Sequence, residues 1–145
     1  MCISCELTPK SEDEFAGQLL QTLNSAALAG MLSVGHRTRL FDTLSALPPS
    51  TSEEVALAAG LNERYVREWL AAMVTGGIMR YDAANRTYQL PAQAAAFLTR
   101  AASPNNLASV AQFLPMLGSV EDQVVECFYR GGGVPYEAFG RFHQV

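Results

Sequence analysis

The stretch from Thr51 to Leu90 narrows the possible folds more than any other part of the chain. Thr51-Ser52-Glu53-Glu54 spells a capping box, in which a hydroxyl and a carboxylate three residues apart satisfy orphan amides at a helix start. The helix it opens is expected to reach Ala59, with Gly60 as the residue that turns the chain out of it. Asn62 caps a second helix, on which Val66, Trp69, Leu70, Met73 and Val74 fall at i, i+3, i+4, i+7 and i+8, the spacing of a buried stripe. Gly76-Gly77 ends it. Two short helices joined by a glycine turn read as a helix-turn-helix. Ile78 to Tyr81, the polar turn Asp82-Ala83-Ala84-Asn85 and Thr87 to Leu90 then read as a hairpin, the wing. The predicted fold class is mainly α: a winged helix-turn-helix with a small two-stranded β-wing and additional amino- and carboxy-terminal helices.

Those additional helices have their own signals. Ser11 and Glu14 form another capping box, and Phe15, Leu19, Leu23, Ala26 and Ala27 recur behind it at helical spacing. Gly30 and Gly35 are expected to loosen or end that long helix. A short helix marked by Leu40, Phe41 and Leu44 is stopped by Pro48-Pro49. Beyond the wing, Pro91 is placed at the first position of a helix carrying Ala94, Ala95, Phe97 and Leu98. After a loop at Ser103-Pro104-Asn105, the residues Leu107, Val110, Ala111, Phe113 and Leu114 predict an apolar helix with a break at Pro115. A last helix from about Ser119 presents Val120, Val124, Cys127 and Phe128 and stops at Gly131-Gly132-Gly133. The expected division is a flexible amino terminus over 1–13, a winged-helix dimerisation domain over 14–102, and a helical linker over 103–145 whose end reads as a helix still in progress.

Composition excludes several classes. With 145 residues, 49% of them hydrophobic, the chain has enough apolar side chain for one core, and disorder is not expected. Its apolar stretches are interrupted well before the roughly 20 residues of a membrane span. Met1 to Glu6 lack the pattern of a secretory signal, and Cys2, Cys5 and Cys127 make no disulfide framework, so a cytoplasmic location is expected. Net charge is −4. Even residues 36 to 100, with seven Arg against six acids, are close to neutral, which disfavours nucleic acid as a partner.

Four segments together resemble one family: Leu23 to Leu28, Ser33 to Asp42 (Ser-Val-Gly-His-Arg-Thr-Arg-Leu-Phe-Asp), Arg64 to Leu70 and Gly131 to Tyr136. They resemble the bacterial-type class I S-adenosylmethionine-dependent methyltransferases that carry an amino-terminal winged helix. Gly35 with Leu40 to Asp42 is similar, more distantly, to the dimerisation domain of small-molecule O-methyltransferases. In that family a Rossmann-like domain follows, and its D-x-G-x-G-x-G loop cradles the cofactor. Here Gly131-Gly132-Gly133 follow a predicted helix instead of a strand, so they read as a helix stop. The resemblance therefore implies S-adenosylmethionine as the family's cofactor but no cofactor site in these residues. The expected role is a dimerisation and substrate-lid domain. The chain is expected to be a fragment without the catalytic domain, homodimeric, inactive alone, and in contact with a small-molecule substrate only alongside that domain.

Candidate residues follow from these readings. Tyr136, Phe139, Phe142 and His143 are candidates for the substrate pocket or the interdomain contact, with packing against a further domain preferred, since aromatic rings more often supply packing than chemistry. Under the alternative, a stand-alone winged-helix transcription regulator, Arg64 and Arg67 would contact DNA; Glu63 and Glu68 beside them cancel their charge. No catalytic residue is assigned. His36 lacks a matched nucleophile and reads as a capping or interface residue at a helix start. Cys2-Ile3-Ser4-Cys5 has metal-ligand spacing without a second pair, so no metal site is expected.

Overall fold

The computed structural model describes residues 10–144; Cys2 and Cys5 lie outside that range. Helix α1 (Glu12–Arg37) is entered through the predicted box: Ser11 Oγ accepts from the Glu14 amide at 3.2 Å, and Glu14 Oε2 accepts from the Ser11 amide at 2.8 Å. It starts at Glu12, earlier than the predicted position 14, because the box places the cap at Ser11. It also runs unbroken through Gly30 and Gly35. A glycine in a helix interior costs about 1 kcal/mol, too little to end a helix whose last third is held by packing. His36 accordingly lies in the last turn of α1, where the sequence reading had a helix start.

The chain turns at Arg39, whose φ of 61° is left-handed, into α2 (Leu40–Ala46). Next come α3 (Ser52–Ala59), opened by the Thr51–Glu54 box, and α4 (Glu63–Thr75), capped by Asn62 Oδ1 on the Arg64 amide at 3.1 Å. Gly60 between them has φ 65°. The wing is an antiparallel pair, β1 (Arg80–Asp82) and β2 (Thr87–Gln89), with Tyr81 opposite Tyr88. Its first strand begins later than predicted. The amides of Ile78 and Met79 are spent on the Met73 carbonyl, at 2.9 and 3.2 Å, closing the end of α4. The turn is locked by Asp82, whose carboxylate accepts from the Ala84 amide and the Asn85 side chain.

Carboxy-terminal to the wing lie α5 (Ala92–Leu98), a 3-10 turn (Arg100–Ala102), α6 (Leu107–Val110), α7 (Phe113–Gly118), α8 (Glu121–Arg130) and two more 3-10 turns (Tyr136–Ala138 and Phe142–Gln144). Pro91 is the residue before α5, with an extended ψ of 147°, one position earlier than expected. Phe97, predicted on the inner face, is 50% exposed, while Leu98 is buried. The break predicted at Pro115 falls at Ala111–Gln112, between α6 and α7. Pro115 sits third in α7, among the first four residues, whose amides have no partner within a helix, so nothing is lost there. Ala108, Ala111 and Met116 face inward, and Leu107, Val110 and Leu114 outward. On α8 the predicted apolar face is largely uncovered, with Phe128 87% exposed. The tail from Gly131 to Pro135 is extended, and the 3-10 turns replace the helix expected to continue there.

The core joins α2, α3, α4, the wing and α5 through Leu40, Phe41, Val55, Trp69, Leu70 and Met73, with Met79, Leu90 and Leu98 beneath them. Full burial of each large side chain contributes on the order of 2 kcal/mol. Trp69 meets Phe41 edge to face at 5.1 Å, and its indole Nε1 donates to the Met31 carbonyl of α1 at 2.9 Å. Gly35 lies against both rings: a Cβ there would stand 2.6 Å from Phe41 Cε2 and closer still to Trp69 Cζ2.

Gly35→Ala should therefore destabilise the fold by about 1–3 kcal/mol, since the aromatic pair must move. At Gly30 an added Cβ meets nothing within 4 Å. Gly30→Ala should stabilise by about 0.5–1 kcal/mol through the lower entropy of the unfolded chain. Urea midpoints of the two variants check the contrast, and shifts of the same sign would contradict it.

Candidate functional site

Arg64 and Arg67 project from α4 on the side away from the Trp69 stripe, and both are exposed. They do not form a free cationic surface. Arg67 pairs with Glu63 at 3.6 Å, Glu63 also accepts from the buried Ser52 hydroxyl at 2.8 Å, and Glu68 is exposed on the same helix. A cleft of about 140 Å³ between the start of α3, α4 and the wing brings Arg67 to Arg86, Tyr81, Tyr88 and Glu53. Burial and the neighbouring Tyr81 push the Tyr88 hydroxyl above the ordinary tyrosine range. Arg86 was not singled out from the sequence. It reaches this cleft because the wing turn closes through it with φ 56°.

Of the four carboxy-terminal candidates, Tyr136, Phe142 and His143 are brought together. Their rings meet edge to face, Tyr136–Phe142 at 5.0 Å, Tyr136–His143 at 5.3 Å and Phe142–His143 at 6.1 Å. Phe113 of α7 joins them at 6.0 Å from Phe142, a member that helical spacing assigned to a stripe instead. Phe139 is half-buried outside this group. Arg141 anchors the tail by donating to Gln112 Oε1 at 3.0 Å, and Gln112 is buried. Tyr136 and Phe142 remain 48% and 40% exposed, so one side of the group is open.

A third feature lies on α1. Residues 12–27 are exposed throughout, and within them Phe15, Leu19, Leu20 and Leu23 present between 51% and 66% of their surface. Where α1 reaches α4, an open cleft of about 570 Å³ runs between Asn24, Leu28 and Met31 on one side and Ala72, Thr75 and Gly76 on the other. Sequence spacing found the stripe. It did not reveal that none of the described residues covers it.

For a cofactor or metal the described residues offer little. Gly131 to Gly133 follow α8 and lead into extended chain, so they lack the strand-to-helix setting that holds a nucleotide. They do not fit S-adenosylmethionine. No group of three or more His, Cys, Asp or Glu among the described residues is arranged to hold a metal ion, and no helix among them is long and apolar enough to cross a membrane.

Residues 26–100 match the model of a family described as the Rv2258c-like winged HTH domain. A comparison with curated proteins finds no match. Among solved structures, the mitomycin 7-O-methyltransferase MmcR is 21% identical with a TM-score of 0.67, over 92% of this chain and 38% of that one. Human N-acetylserotonin methyltransferase in complex with SAM is 20% identical with a TM-score of 0.64, over 90% and 41%. The riboflavin-derivative dimethyltransferase RosA from Streptomyces davawensis is 21% identical with a TM-score of 0.65, over 94% and 38%. At such identity the likeness is one of fold, and the chain spans 38 to 41% of the length of these structures.

Phe142→Ala removes three edge contacts at once. Aromatic pairs contribute about 0.5–1.5 kcal/mol each, so trypsin should cut after Arg141 on the order of tenfold faster. Mass spectrometry of timed digests reads this directly. An unchanged rate at Arg141 would mean that the aromatic group does not hold the tail.

Proposed function

Because the chain belongs to the Rv2258c-like winged HTH domain family, we propose that its winged helix serves to pair subunits and close a pocket, in place of reading DNA. The full reading is the amino-terminal dimerisation and substrate-lid domain of an S-adenosylmethionine-dependent methyltransferase. The observation that carries it is the bare apolar stripe of α1, Phe15, Leu19, Leu20 and Leu23. Each such side chain gains about 1.5–3 kcal/mol on full burial, and four of them exposed on one broad face of the helix, with Phe15, Leu19 and Leu23 in one row, are there for a partner to cover. A second copy is that partner: two α1 helices packed along their stripes cover each other by one symmetric contact.

The fold likeness to three methyltransferases supports the enzymatic half of the reading. Methyl transfer is assigned to a further domain, since the described glycines do not fit the cofactor. Tyr136, Phe139, Phe142 and His143 are then placed to pack on that domain or to line its substrate pocket, and the half-open aromatic group suits either. The helix-turn-helix geometry alone favours the alternative, a DNA-binding regulator using Arg64 and Arg67. The acids beside those residues weigh against it, because an acidic face is repelled by phosphate.

Sedimentation equilibrium should show a dimer. The double variant Leu19→Glu, Leu23→Glu should raise its dissociation constant by roughly 100-fold, about 3 kcal/mol, with helical content unchanged. A strict monomer at high micromolar concentration would refute the pairing role. Duplex DNA titrated at low salt, where phosphate contacts are strongest, should give a flat response, and salt-dependent binding lost in Arg64→Ala would favour the regulator.

A further inference from the structure

The corner where α1 ends is tied to the segment after the wing by a polar cluster centred on Arg100. Its guanidinium donates to Asp42 Oδ2 and to the His36 carbonyl, the latter at 2.7 Å, while its amide donates to Asp42 Oδ1 at 2.8 Å. A few residues on, Asn106 caps α6, its Oδ1 accepting from the Ser109 amide at 3.1 Å. That bond fixes which way the side-chain amide points. Its NH2 is left facing His36 Nδ1 at 3.4 Å, and Asn106 is only 7% exposed. A donor facing Nδ1 requires that nitrogen to be bare, with the proton of the neutral ring on Nε2.

We propose that the contact between His36 and Asn106 is an acid-sensitive latch, which holds α6 and the segment behind it on α1 while the imidazole is neutral and releases them when the ring takes a second proton. The geometry blocks the usual accommodation. With Nδ1 protonated, two donors face each other. Turning the Asn106 amide around would present its oxygen to the ring, but it would also strip α6 of its cap and set NH2 against the Ser109 amide. Either way the Asn106 side chain loses one of its two hydrogen bonds.

The charges around the ring act in opposite senses. Arg100, from the 3-10 turn after α5, opposes a second cation. Asp42 of α2 favours one, but it is already engaged twice by Arg100. Helices α6 and α7, the other elements here, bring no titratable side chain. The end of α1 itself favours a cation. Burial outweighs these terms, with Arg100 second, and the imidazole is held below its ordinary value. The unfolded chain therefore binds this proton more readily than the folded one. The latch contributes stability that is complete above the ordinary histidine range and is lost as pH falls through the lower folded value. What it releases is the segment that carries α7, α8 and the aromatic tail, whatever those residues contact. The inference is thus independent of the pairing and methyltransferase readings.

Hydrogen exchange read by mass spectrometry on the whole chain tests it, with rates corrected for the intrinsic effect of pH. Protection of residues 107–118 should fall as pH drops from the ordinary histidine range to the lower folded value, by at most about tenfold per pH unit, and level off below it, while α3 and α4 keep theirs. His36→Gln should flatten that response, and His143→Gln, which alters the other histidine, should leave it intact. Asn106→Asp is the decisive variant, because aspartate caps a helix as well as asparagine does and accepts a bond from a protonated ring. In it, protection of 107–118 should hold or rise in acid. A wild-type response that persists in His36→Gln, no response in the wild type, or acid release in Asn106→Asp would each overturn the latch.

Discussion

The indole of Trp69 is the contact on which the arrangement of helices depends. It belongs to α4, yet its ring is gripped by α1 at Gly35 and by Phe41 of α2, and its single polar atom is satisfied by a carbonyl of α1. An indole N–H buried without an acceptor costs about 1–3 kcal/mol, so the bond to Met31 does more than add to packing: it selects the height at which α1 crosses α4. The helix-turn-helix thereby receives a third helix at a fixed level. The wing completes the unit from the other side. The backbone of Ser50, ahead of α3, exchanges two hydrogen bonds with Tyr88, at 3.1 and 2.7 Å, so the hairpin is tied back to the entrance of the helix pair.

Local chemistry was the legible part of the sequence. Each hydroxyl-to-carboxylate box, the Asn62 cap, the left-handed Gly60 and the Trp69 stripe depend on residues within a few positions of one another, and all stand in the structure where they were expected. What escaped is whatever the rest of the fold decides. The strand at Ile78 gave way to the end of α4 because the Met73 carbonyl was in reach, a fact about three-dimensional closeness. Pro115 was read as a break by its ring alone, although the same ring is harmless in a first turn. Periodicity also names a face without naming its cover. Spacing treated Phe15, Leu19 and Leu23 the same way as Val66, Trp69 and Leu70, and among the described residues only the second set is covered.

The candidate site divides along the same line. Tyr136, Phe142 and His143 were recognisable as an aromatic tail and do come together, because their rings find one another across the 3-10 turns. Phe113 and Gln112 join from far back in the sequence, and no local pattern announces such a meeting. Arg100, Asp42, His36 and Asn106 were hidden for the same reason. They come from two stretches nearly 60 residues apart, 36–42 and 100–106, and are adjacent only after α5 has folded back beside α2.

Helix α1 is seated at one end only. Its last third is clamped by Trp69 and Phe41, while residues 12–27 extend from the body, a rod of about 24 Å at 1.5 Å per residue. A rod of that length acts as a lever. A tilt of about 10° at the clamp sweeps the tip through roughly 4 Å, more than enough to move an apolar side chain from one hollow to the next on a facing helix. The spacing between whatever is fastened to the tip and the rest of the fold is thus set by the fit of one glycine against two aromatic rings, and a change too small to notice at Gly35 arrives at Phe15 as a change of register.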